Sequence, residues 1–106
     1  LIATIDFGKT EEINKLTISF LENEGSWIYF PKNIEILVSN DGINFERAKQ
    51  VSSEEIVQMR GEVAVNDISK KGRFLKVIAT NFGKIPDGNP GAGSNAWLFV
   101  DEIGVE

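Results

Sequence analysis

NFGKIPDGNPGAGSNAWLFVDEI, residues 81–103, is the stretch on which the reading of this chain turns. From Asn81 to Asn95 it carries Pro86, Asp87-Gly88, Asn89-Pro90, Gly91 and Gly93, residues that favour turns or positive φ. The composition then changes to Ala96-Trp97-Leu98-Phe99-Val100, an aromatic and β-branched run that predicts a strand reaching Val105. A long loop anchored by a strand is uncommon in a compact domain and is usually functional or disordered. With amides and a tryptophan beside it, this one points to recognition of a polar neutral ligand and away from catalysis.

Working outward, the same strand character continues. Leu1–Asp6 predicts a first strand ended by Gly8-Lys9-Thr10. Ile13 to Leu21 alternates Leu16, Ile18 and Phe20 with Lys15, Thr17 and Ser19, the pattern of a half-buried antiparallel strand. Trp27-Ile28-Tyr29-Phe30-Pro31 does not alternate and reads as a loop or edge segment packed down by its aromatics. Asn33–Ser39 is a strand, and Asn40-Asp41-Gly42 turns it into a hairpin. Ser52 with Glu55 three residues on is a helix-start signal, but the run after it is short and β-rich. The expectation there is a loop followed by a strand from Gly61 to Asn66. Ser69-Lys70-Lys71-Gly72 reads as a basic turn before a strand from Arg73 to Thr80. Short strands, frequent turns and no long helix predict an all-β, antiparallel β-sandwich.

The chain has 106 residues, enough for one module with one core, and 42% of them are hydrophobic. Eleven basic against sixteen acidic residues give a net charge of −5, which argues against a nucleic-acid partner and an anionic membrane surface. Neither cysteine nor histidine is present, so disulfides, thiolate nucleophiles, the usual zinc sites and histidine bases are excluded. The chain opens at Leu1 inside a strand pattern, and the expectation is a single module, residues 1–106, cut from a longer multidomain protein.

Three groups of residues bear on chemistry. Asp101-Glu102 are neighbours on a strand, so their carboxylates diverge and do not form the facing pair a glycosidase needs. Glu102 is a candidate cation ligand, but a hard cation such as calcium needs several oxygens at once and one Glu is no site by itself. Trp27, Tyr29 and Trp97 read two ways, as core aromatics or as stacking faces for a sugar ring, with Trp97 and Phe99 alternating as core residues do. Asn23, Asn81, Asn89 and Asn95 read either as amide readers of hydroxyls or as turn residues.

In order along the chain, Ile5-Asp6-Phe7-Gly8, Phe20-Leu21, Ser26-Trp27-Ile28, Val38-Ser39-Asn40-Asp41-Gly42-Ile43-Asn44-Phe45, Arg73-Phe74-Leu75-Lys76-Val77 and Trp97 to Ile103 resemble the discoidin domain. That domain is also called the coagulation-factor type C domain. The loop at residues 86–93 and the strand after it are similar, more narrowly, to the C-terminal module of bacterial chitobiases (β-N-acetylhexosaminidases). The resemblance implies a jelly-roll, galactose-binding-like β-sandwich lacking its N-terminal strands. It implies a secreted, periplasmic or cell-surface, monomeric, non-catalytic module that binds glycan or an N-acetylated sugar and tethers a catalytic domain of the parent chain. The alternative is a structural interdomain module that packs on that catalytic domain without sugar.

The resemblance places the sugar on loops corresponding to Glu22–Pro31 and Asn81–Trp97, so the expected binding residues are Asn23, Trp27, Tyr29, Asn89, Asn95 and Trp97. The arginine that galactose-binding relatives carry in the first loop has no counterpart between Glu22 and Pro31. The resemblance also implies a structural calcium ion held by Glu102 together with an early loop, which would precede Leu1.

Overall fold

The computed structural model describes residues 1–89, 91–98 and 100–106; the Asp101 side chain also lies outside the described residues. The strands are β1 (Ile2–Ile13), β2 (Leu16–Phe20), β3 (Asn33–Ser39), β4 (Glu46–Ser52), β5 (Glu62–Val65), β6 (Lys70–Thr80) and β7 (Val100–Val105), with one short helix, α1 (Ser53–Gln58). They form two antiparallel sheets, β1-β6-β3-β4 and β5-β2-β7, as expected of a β-sandwich.

Period-two alternation explains the packing. Ile34, Ile36 and Val38 of β3 and Leu75, Val77 and Ala79 of β6 point inward from the first sheet. Leu16, Ile18 and Phe20 of β2 and Val63 and Val65 of β5 meet them from the second. On β7, Ile103 and Val105 pack against this core, while Glu102 is exposed.

The β3–β4 turn is built around Asp41. Its carboxylate accepts the Ile43 and Asn44 backbone N–H groups, each at 2.8 Å, the Asn44 side-chain amide at 2.9 Å and the Ser39 hydroxyl at 2.9 Å. These donors, the Asn44 and Ile43 backbone groups foremost, hold the carboxyl far below its ordinary value of 3.8. A depressed native pKa contributes stability that is present above the unfolded-state value and lost as pH falls toward the native one. The stability difference between the wild type and Asp41→Asn is therefore expected to narrow as pH drops below about 4, measured by urea unfolding at stepped pH.

Between β1 and β6, four features differ from the sequence reading. β1 does not stop at Asp6: it bulges over residues 7–10, opposite Arg73, and pairs again from Glu11. Gly8 at φ 79° and the two-toothed Arg73–Asp6 pair, at 2.8 and 3.0 Å, hold the bulge. Lys70–Gly72 are strand, because the chain reverses earlier, through Asp67 and Ser69 at φ 57° and 49°. The predicted strand from Ile13 to Leu21 contracts to Leu16–Phe20, since Asn14 and Lys15 are engaged by the Glu106 carbonyl.

The fourth difference is α1, which forms where a loop was expected. Ser52 Oγ accepts the Glu55 N–H at 3.2 Å, and Glu55 Oε1 accepts the Ser52 N–H at 3.3 Å, a complete capping box. The helix buries Ile56 in the core and ends at Arg60 and Gly61, both at positive φ. Tertiary burial of one isoleucine outweighs a composition too short to be helical alone. Ser52→Ala is expected to cost about 1 kcal/mol, read from the urea midpoint at unchanged m-value.

Candidate functional site

The two loops marked in the sequence lie side by side at one end of the sandwich. The chain after β2 makes a single 3₁₀ turn, Glu24–Ser26, closed by Trp27 in the left-handed region at φ 63°. That conformation is uncommon for a bulky side chain and persists only where neighbours over-determine it. Here the Trp27 N–H donates to the Glu24 carbonyl at 3.0 Å. The Trp27 carbonyl in turn accepts the Trp97 N–H at 2.8 Å, and the Tyr29 N–H donates to the Trp97 carbonyl at 3.1 Å. Both backbone groups of Trp97 are thus spent on the first loop. The expected strand from Trp97 is thus divided: Trp97 bridges to Ile28, and β7 runs Val100–Val105.

The second loop is pinned from within. The Asn81 side-chain amide donates to the Ala96 carbonyl at 2.9 Å, and its carbonyl accepts the Gly83 N–H at 2.7 Å. Ile85 and Ser94, Gly93 and Ile85, and Ala96 and Gly83 are joined by backbone bonds of 2.8–3.0 Å. Underneath, Tyr29, Ile85 and Ala96 form a small second core with Phe82, whose ring stacks on Tyr29 at 5.1 Å. The loop has its own packed base, which makes it a preorganised surface.

This arrangement corrects two readings of the aromatics. Trp97 is no core anchor: it is 68% exposed, and the buried neighbour is Ala96. In an extended segment successive residues face opposite ways, so burying Ala96 sends Trp97 outward. Phe99, the other half of that expected anchor, lies outside the described residues. Tyr29 in turn is only 5% exposed, and its ring supports the loop from below. It offers no open face for a sugar.

Trp27 is 38% exposed, and its ring lies on the backbone of Gly91. A Cβ at Gly91 would come within 2.5 Å of Trp27 Cε2, and Gly91 sits at φ 77°. Gly91→Ala is therefore expected to lift the loop off the indole. The left-handed backbone alone costs an L-residue about 1–2 kcal/mol. The check is a lowered unfolding midpoint together with a shifted Trp27 indole N–H resonance.

The amides divide. Asn23 and Asn95 are exposed, and neither side chain has a hydrogen bond among the described residues. Asn23 bridges to Ile28 through its backbone, and Asn95 bridges to Lys84 beside Trp97. Asn89 is half-buried in the loop's turn, donating its N–H to the Pro86 carbonyl at 3.3 Å. Asn81 is an internal clasp. Lys84, exposed opposite Asn95, is a donor the sequence reading passed over; it is the sole cation between Asn81 and Trp97, which was the available signal.

Glu102 is exposed on the outer face of β7, opposite Ser19. Among the described residues no group of three acidic or other ligating side chains comes together. Calcium takes six to eight oxygens, so the described residues do not fit the ion. No helix among them is long and apolar enough to cross a membrane.

No curated protein matches the chain. Among solved structures it is similar to CpGH89CBM32-6 of Clostridium perfringens, with a TM-score of 0.61 and 20% identity over 99% of this chain and 67% of that one. CpGH89CBM32-5 from the same organism, solved in complex with GalNAc-β-1,3-galactose, aligns at a TM-score of 0.56 and 26% identity, covering 93% of this chain and 63% of that one. The C-terminal domain of a chitobiase from Bacteroides fragilis aligns at 0.61 and 19% identity, covering 99% of this chain and 61% of that one. The chain thus spans roughly two thirds of the length of these relatives, and its fold is that of a carbohydrate-binding module. A family model for the F5/8 type C domain matches residues 3–102, and the chain belongs to that family.

Proposed function

We propose that this domain is a non-catalytic carbohydrate-binding module, one unit of a longer extracytoplasmic chain whose catalytic domain is a glycoside hydrolase of the β-N-acetylhexosaminidase type. The observation that carries the reading is the pair Trp27 and Trp97, held side by side by backbone bonds on a packed loop and both open to solvent. Large aromatics left exposed on a preorganised surface suit the apolar face of a sugar ring. Asn23, Asn95 and Lys84 stand at its margin as hydroxyl readers, and Asn89 shapes the turn above Trp27. Tyr29 acts beneath the site.

Relatives support an N-acetylated or galactose-type ligand, since one was solved with GalNAc-β-1,3-galactose. The surface is shallow, so affinity is expected between about 1 mM and tens of micromolar, about −4 to −6 kcal/mol. The test is NMR titration with that disaccharide, N-acetylglucosamine, galactose and chito-oligomers. Saturable shifts at the two indole N–H groups and at Asn23 and Asn95 support the reading. Silence of both loops at tens of millimolar sugar overturns it.

A further inference from the structure

The chain holds two Asp-Gly pairs, Asp41-Gly42 in the β3–β4 turn and Asp87-Gly88 in the loop after β6. An aspartate before glycine carries a latent reaction, because no side chain shields the following backbone nitrogen from the aspartate's own carboxyl carbon. Closing that small ring needs a carboxyl that can take up a proton, so that its hydroxyl leaves as water. It also needs a backbone N–H not held in another direction, and room for the ring.

Asp41-Gly42 fails on each count. The Gly42 N–H donates to Ser39 Oγ at 2.9 Å, and the Asp41 carboxylate accepts the Ile43 and Asn44 N–H groups at 2.8 Å. Those donors, Asn44 first, keep the carboxyl ionised, the form with no hydroxyl to lose. The space is taken as well, since a Cβ at Gly42 would meet the Phe74 ring at 3.1 Å.

Asp87-Gly88 differs throughout. It forms the middle of a four-residue turn closed by the Asn89 N–H on the Pro86 carbonyl at 3.3 Å, with Gly88 at φ 89°. Positive φ at the third position is the type II turn, whose single bond leaves the third N–H unused. Among the described residues the Gly88 N–H has no acceptor and the Asp87 carboxylate has neither donor nor ion pair. Both residues are exposed, and nothing lies within 4 Å of a Cβ built on Gly88. The asparagines of the same loop are blocked. Asn89 precedes Pro90, which has no N–H, and the Ala96 N–H that follows Asn95 is held by the Gly83 carbonyl at 2.8 Å.

We propose that Asp87-Gly88 is a modification site at which the loop isomerises spontaneously, with water as the sole reagent. The Gly88 nitrogen bonds to Asp87 Cγ, its proton and the carboxyl hydroxyl leave as water, and a cyclic imide results. Water then returns to either carbonyl. Breaking the new N–Cγ bond restores aspartate, whereas breaking the original peptide bond leaves isoaspartate, with the main chain routed through Cβ and Cγ. Isoaspartate adds a carbon to the main chain of the turn and turns the old peptide carbonyl into a carboxylate at the loop's rim. The inference rests on the turn alone and stands or falls apart from the sugar reading.

The test incubates the folded domain in heavy-oxygen water, mildly acidic and below its unfolding temperature, beside a second sample in urea. Each ring opening delivers a heavy oxygen to the carboxylate it forms. Trypsin, used afterwards in ordinary water, puts the two pairs in separate peptides, residues 33–47 and 85–106, and fragmentation locates the label. The expected result in the folded domain is label at Asp87, together with a chromatographically separate isomer of the 85–106 peptide. Asp41 is labelled at least about tenfold more slowly, since losing even one charge-assisted bond before the attack costs about that factor. In urea the two rates converge. Asp87→Glu, whose ring is larger and forms far more slowly, removes the label from 85–106 and leaves the urea midpoint unchanged, as befits an exposed side chain.

Equal labelling of Asp41 and Asp87 in the folded domain overturns the proposal. So does an unlabelled Asp87 under conditions where urea labels both, or label in 85–106 that survives Asp87→Glu.

Discussion

Trp97→Ala is expected to abolish measurable sugar binding while leaving the fold intact. The side chain is 68% exposed, so its removal opens no cavity and disturbs stability by no more than about 0.5 kcal/mol. Truncating an aromatic at the centre of a recognition surface costs about 2 kcal/mol or more, which is about 30-fold in affinity. For a site that begins near the millimolar range, that places binding beyond ordinary titration. The measurement is a pair: a sugar titration followed by NMR and a urea unfolding curve on the same sample. Lost binding with an unchanged midpoint is the expected outcome, whereas a large drop in stability would return Trp97 to the core.

The second large effect is in the core. Ile36 is fully buried on β3, the strand that lies between β6 and β4 in the first sheet and faces β2 across the sandwich. Ile36→Ala removes three heavy atoms where neighbours on both sheets are fixed, at a cost of about 2–5 kcal/mol. Domains of this size hold about 5–15 kcal/mol in all, so this variant loses a large fraction of its stability. The check is the urea midpoint at constant m-value. Since the loops rest on this sandwich, sugar titration of the variant in the absence of denaturant reports the folded fraction.

These two residues also show what a sequence does and does not reveal. Ile34, Ile36 and Val38 are legible because burial on one face of a sheet imposes a strict period of two, and nothing else in the chain competes for them. The Asn40-Asp41-Gly42 turn is legible because its chemistry is local: Gly42 at φ 76° and the Asp41 carboxylate act within five residues. Trp97 followed the opposite course. Its alternation with Phe99 favoured the core reading, whereas the exposed indole fits the other reading, a stacking face. Ala96 is the buried member, in a small core with Tyr29 and Ile85 that forms only when two loops distant in sequence meet.

Tyr29 could not be decided between core and stacking face for the same reason, since its stacking partner Phe82 lies fifty-three residues away, 82 minus 29. The Ser52–Glu55 capping box was seen, yet the helix it starts was set aside, because the burial of Ile56 that sustains it is a tertiary fact. The candidate site was therefore legible as two loops, and which of their aromatics face outward only once their backbones were joined.

The central claim is that Trp27 and Trp97 together form the sugar-binding face. The chain contains two tryptophans and the proposal puts both in that face, so tryptophan fluorescence is the signal that tests it. Acrylamide quenching of the domain, with and without saturating GalNAc-β-1,3-galactose, is the most direct measurement. The account predicts strong quenching of the free domain, dominated by exposed Trp97, and clear protection when the sugar is bound. Equal quenching at every sugar concentration up to tens of millimolar, or tryptophans already shielded in the free domain, would contradict it.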